Sequence, residues 1–115
     1  MELKGSKTEQ NLLSAFTAES RARNKYTLYA AKAKQDGYEQ IAAIFEETAN
    51  NEKEHEERFK KLISNIENSL VFSKDSDVMW ICRNCGHVHF GKEAPQVCPV
   101  CQKEQGYFMV KASNY

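Results

Sequence analysis

The chain reads as an α protein with a small metal-bound β module: a helical hairpin that pairs with a second copy into a four-helix bundle, then a cysteine-stapled unit. Three observations lead there. Residues 7–35 contain neither Gly nor Pro, a second such run follows a turn at Gly37, and all four cysteines fall in two C-x-x-C pairs near the C-terminus.

Ser6 followed by Glu9 makes a capping box, so the first helix starts there and runs over about 7–35. Q-D-G-Y at 35–38 carries Gly37, which adopts positive φ without steric cost and ends the helix in a sharp turn. A second long helix covers about 39–67. The stretch N-S-L-V-F-S-K-D-S-D-V has no helical period and is expected to be a linker over 68–78. A separate module, 79–115, holds both prolines and three of the five glycines, as a β-rich unit held by metal should. The organisation expected is 1–67, a linker, and 79–115.

Sixteen basic side chains balance sixteen acidic ones, so no summed charge points to nucleic acid or an anionic membrane. M-E-L-K-G-S-K-T-E lacks the apolar core of a signal peptide, and no window reaches the roughly 20 apolar residues of a membrane span. The expectation is a cytoplasmic protein without nucleic-acid or membrane partners. A hairpin and a 40-residue module bury little core alone, which calls for metal, a partner chain or both.

Heptad counting along the second helix gives the stripe Ile41, Phe45, Thr48, Glu52, His55, Phe59, Leu62 and Ile66. The first helix gives Leu12, Phe16, Glu19, Ala22, Tyr26, Ala30 (flanked by Tyr29) and Ala33. Glu19, Glu52 and His55 thus occupy places where apolar residues belong, while Lys53, Glu54, Glu56 and Glu57 supply the wet face. An unpaired carboxylate there costs several kcal/mol through lost hydration. A multivalent cation compensates that cost, and Glu-x-x-His sets a carboxylate and an imidazole on one helical face. One hairpin supplies half of a two-metal carboxylate site. Two chains about a twofold axis bring two each of Glu19, Glu52 and His55, an O/N set suited to iron or manganese. The bland alternative is a solvated Lys/Glu-rich face.

The tail W-I-C-R-N-C-G-H-V-H-F-G-K-E-A-P-Q-V-C-P-V-C carries two knuckles twelve residues apart. Cys82, Cys85, Cys98 and Cys101 make one tetrahedral four-thiolate site, which on spacing alone takes zinc or iron, zinc more often. His87 and His89 fall outside a shell that four thiolates close. Trp80, Phe90, Tyr107 and Phe108 are expected to form the module's core.

With these pieces together, the chain resembles the rubrerythrin family. N-L-L-S-A-F-T-A-E-S-R-A-R-N-K-Y (11–26) is similar to its first ligand helix, I-A-A-I-F-E-E-T-A-N-N-E-K-E-H (41–55) to its Glu-x-x-His helix, and residues 80–101 to its C-terminal rubredoxin-like domain. The resemblance implies a ferritin-like helical part and a non-haem di-iron peroxidase, linked indirectly to NAD(P)H, that reduces hydrogen peroxide to water. Electrons would come from an external donor such as a rubredoxin or its reductase, through an Fe(Cys)4 centre. It also implies Glu19 as a terminal ligand, Glu52 as a bridging one, His55 as an imidazole ligand and Tyr26 as a hydrogen-bonding neighbour. Family members hold four bundle helices in one chain; here one pair is missing, so the di-iron centre has to be shared in a homodimer or higher even oligomer. Where the family's third ligand helix offers a further Glu, the matching position is Ala22. Other readings of the residues are a ferroxidase or oxidase, a metal-storage protein, and a non-catalytic dimer with a zinc ribbon.

Overall fold

The computed structural model describes residues 2–111. In order they form helix α1 (Lys7–Gln35), helix α2 (Glu39–Glu67), strand β1 (Ser73–Cys82), strand β2 (Val88–Glu93), a 3-10 turn (Gln105–Tyr107) and strand β3 (Phe108–Val110). Two compact units result, one of Gly5–Ile63 and one from Ser64 onward that also takes in the residues up to Lys4. No helix among the described residues is long and apolar enough to cross a membrane.

α1 begins as its spacing predicts. The Glu9 N–H donates to Ser6 Oγ at 3.1 Å, and Glu9 Oε1 accepts from the Gly5 N–H at 3.0 Å, so the cap satisfies two donors at once. At the other end the Gly37 N–H donates to Lys34 O and the Tyr38 N–H to Ala33 O, with Gly37 at φ 88°, a Schellman ending. α2 ends the same way: Ser69 donates to Ile66 O and Leu70 to Asn65 O, but Ser69 takes the left-handed place at φ 57°. A Cβ on Gly37 meets nothing within 4 Å, so backbone strain alone sets the cost of adding one. Gly37→Ala should therefore lower stability by about 1 kcal/mol and Ser69→Gly raise it by a similar amount. Denaturant unfolding followed by helical circular dichroism measures both.

The helices pack along small residues. Ala30 and Ala33 of α1 and Ala42 and Ala49 of α2 are buried. Next to them Tyr26 stacks on Phe45, ring centroids 6.2 Å apart, with Tyr29 edge-on to Phe45 at 5.6 Å. The heptad stripe of α2 is thereby corrected. The face against α1 runs through Ala42, Phe45, Ala49, Glu52 and Glu56, whereas Ile41 is half exposed. Alanine carries little hydrophobic signal, so the heptad count of α2 does not select Ala42 and Ala49, which are buried.

The second unit is an antiparallel sheet in the order β2-β1-β3. Its strand β1 starts at Ser73, so residues 73–78, expected within the linker, are strand. The sequence K-D-S-D has no apolar alternation, and backbone pairing with β2 forms the strand instead, with a register irregularity between Ser73 and Val78. Trp80, Cys82, Ala94, Cys98 and Phe108 make the core, and the Trp80 indole N–H donates to Gly91 O at 3.1 Å. Phe90 is not core: it pairs with Met79 on the outer face and is 65% exposed. Tyr107 lies on the surface with Lys103 Nζ 5.4 Å from its ring centroid.

Candidate metal centres

Two groups of ligating side chains come together, one in each unit. In the hairpin, Glu19, Glu52 and His55 each offer one ligand atom within 4.8 Å of the others. His55 Nδ1 stands 3.7 Å from Glu19 Oε2 and 3.8 Å from Glu52 Oε2. Those separations are too long for hydrogen bonds. They fit atoms sharing a cation, since bonds of about 2.0–2.2 Å hold neighbouring ligand atoms about 3–4 Å apart. Glu19 Oε2 is buried with no hydrogen-bond partner, a carboxylate oxygen that water does not reach and no donor satisfies. The donor set is oxygen and nitrogen, so the residues fit iron or manganese.

At 3.6 residues per turn, α2 carries two separate faces. Ala42, Ala49 and Glu56 look toward α1; Ile41, Ile44, Thr48 and His55 lie roughly 110° round the axis. Glu52 falls between them. The second face is open: Ile41 and Ile44 are about half exposed, as is the His55 side chain at 49%.

Tyr26 lies two turns along α1 from Glu19. Its ring is held by Phe45 and Tyr29.

Two residues of this region were not singled out by pattern. Arg23 Nε meets Glu56 Oε2 at 3.1 Å, and the Glu56 side chain is only 16% exposed. The wet-face assignment of Glu56 is therefore corrected. Their positions held the signal, since Arg23 is one turn after Glu19 and Glu56 one turn after Glu52.

In the β module, the Sγ atoms of Cys82 and Cys101 are 3.7 Å apart, as are those of Cys85 and Cys98. No disulfide joins them. A tetrahedron with bonds of about 2.3 Å has edges of about 3.8 Å, so the four sulfurs already outline a metal site. The two knuckles repeat one backbone design. Gly86 N–H donates to Cys82 O and Gln102 N–H to Cys98 O, while Cys82 N–H donates to His87 O and Cys98 N–H to Lys103 O. Each knuckle needs a left-handed residue after its second cysteine, Gly86 at φ 85° and Gln102 at φ 68°.

The thiols differ electrostatically. The Asn84 side chain and the Lys103 backbone N–H bring Cys101 down to about 6. The His87 backbone N–H pulls Cys85 down as well but is outweighed by desolvation and the three neighbouring thiols, which push it up to about 12. Metal binding must displace the Cys85 proton across the usual pH range, whereas Cys101 holds one only below about pH 6. The slope of log affinity against pH should thus steepen by about one as pH falls through about 6. Chelator competition for zinc at a series of pH values reads that slope.

Comparison with known proteins agrees with both centres. A family model described as rubrerythrin matches residues 10–80, and one described as the rubredoxin-like domain of rubrerythrin matches 80–109. A rubrerythrin of Porphyromonas gingivalis is 30% identical over 188 aligned positions, covering 98% of this chain and 94% of that one. Rubrerythrin-1 of Clostridium acetobutylicum is 31% identical, covering 98% of each. Such alignments are longer than the 115-residue chain, so they pass over a stretch of the relative that has no counterpart here. A rubrerythrin of Clostridium perfringens is 44% identical over 92 residues, 80% of this chain and 47% of that one. Among solved structures, fully reduced, all-ferrous nigerythrin matches with a TM-score of 0.51 at 24% identity, covering 91% of this chain and 50% of that one, a likeness of fold alone.

Proposed function

The chain belongs to the rubrerythrin family, and from that premise we propose that it is a peroxidase whose di-iron site is completed by a second copy of itself. Hydrogen peroxide takes up two electrons and two protons and leaves as two waters. The observation that carries this reading is the half-site: Glu19, Glu52 and His55 converge beside an open helical face. A helix of a four-helix bundle touches two neighbours, and the two faces of α2 meet that need, one covered by α1 and one left for the partner. Pairing two hairpins gives four carboxylates and two imidazoles.

Bound there, iron would supply electrons to the O–O bond, and iron held by Cys82, Cys85, Cys98 and Cys101 would replace them one at a time from an external donor such as a rubredoxin or its reductase. The chain's own residues set the conditions. Glu52, Glu19 and His55 would hold the iron, with Glu52 as the carboxylate shared within the pair; Ile41 and Ile44, covered by the partner, would keep water out; the Tyr26 hydroxyl would orient a carboxylate or the peroxide. Two cysteine centres per dimer match the two electrons that one peroxide requires.

Iron analysis should find four irons per two chains, with sedimentation at the mass of a dimer or a higher even oligomer. Reduced protein should be oxidised by peroxide faster than by dioxygen. A colourless protein with zinc alone, or faster turnover with dioxygen, would reject the reading. Tyr26→Phe should keep its iron and lose about tenfold in peroxide turnover, the worth of one hydrogen bond of about 1.4 kcal/mol.

A further inference from the structure

The Arg23–Glu56 contact occupies a place that the ligands themselves define. Arg23 lies one turn nearer the interhelical turn than Glu19, and Glu56 one turn farther from it than Glu52. Helical side chains lean toward their own N-terminus, so Arg23 leans away from the turn and Glu56 toward it. They meet at the level of Glu19 and Glu52, on the side of the hairpin where α1 faces α2. Among the described residues, the buried side-chain atoms lacking a hydrogen bond are Glu19 Oε2, Arg23 Nε and Glu56 Oε2, all in this stretch. The last two are in ionic contact at 3.1 Å, so the guanidinium compensates Glu56 and leaves Glu19 to a cation.

We infer that Arg23 and Glu56 are positioning residues: their ion pair fastens α1 to α2 beside the ligands and sets the spacing at which Glu19, Glu52 and His55 meet a metal. This rests on the metal-site reading above. Neither residue belongs to the cluster of ligand atoms. The pair acts as outer partners of metal ligands do, by fixing where the ligands point.

The full chain, with zinc in its cysteine site, is titrated with Mn(II), and free Mn(II) is counted by its EPR amplitude. Mn(II) favours oxygen and nitrogen donors, so it reports the helical site. Arg23→Gln and Glu56→Gln should each weaken binding about 10–100-fold. Arg23→Lys keeps the charge, loses the planar fork and should cost a few-fold; it also serves should the glutamine variants fold poorly. Thermal midpoints of the Mn-free proteins run alongside. A merely structural pair would lower the midpoint and leave Mn(II) affinity unchanged, and that result overturns the inference. If the unaltered protein takes up no Mn(II), the metal-site reading fails and this one with it. If it does and the variants match it, this one fails alone.

Discussion

Glu52→Ala should empty the helical metal site of every dimer while the cysteine centre keeps its metal and its colour. On the proposed pairing the substitution would act twice per site, because each bundle would draw one Glu52 from each copy. Without those carboxylates the helical site would lose ligands for its iron, and peroxide turnover should fall to the level of buffer. The metal-free protein should be no less stable than its parent and is expected to gain slightly. In the parent, Glu52 offers a ligand oxygen within 4.8 Å of one of Glu19, whose buried oxygen has no hydrogen-bond partner, and removing one of two adjacent carboxylates relieves their repulsion. Loss of metal without loss of stability distinguishes a ligand from a packing residue. Metal analysis, the absorption of the cysteine site and a thermal melt together make the measurement; iron retained in the helical site of Glu52→Ala would remove that residue from the ligand set.

Cys82→Ser should do the reverse. Cys82 is 1% exposed, pairs with Phe108 at the end of β1 and packs in the core with Trp80. The serine loses a thiolate ligand and leaves a hydroxyl in an apolar setting, so the module loses both its metal and its fold. Near-ultraviolet dichroism of Trp80 should collapse while the helical signal and the helical iron persist. Turnover with an external reductant should drop by at least about tenfold, a rise of about 1.4 kcal/mol in the barrier, because the proposed relay would be missing. Undiminished turnover would mean that electrons reach the helical site by another route.

Much of this was legible along the chain because the features are local. Two C-x-x-C pairs define their own knuckles, and the structure gives both the same backbone hydrogen bonds. The Ser6 cap and the Gly37 turn are written within four residues each, and Glu-x-x-His shows its shared face through the helical period alone. Ser69 was harder to see: it ends α2 in a conformation that glycine usually takes, and serine there gives no signal.

Other features depended on which surfaces meet. A period of 3.6 says that a stripe exists but not which neighbour it faces, and α2 has two faces. Packing gave the one with Ala42 and Ala49 to α1 and left Ile41, Ile44 and His55 open. The same choice drew Glu56 out of solvent and onto Arg23. In the second unit, β1 gains residues 73–78 from backbone pairing that is blind to side-chain pattern, and Phe90 falls on the outer face by register. Residue order thus specified the ligands and the local turns, because their chemistry is carried within a few positions. Three-dimensional packing settled which helical face is spent within the chain and where a charge pair is buried, because burial depends on residues brought close from far apart along the chain.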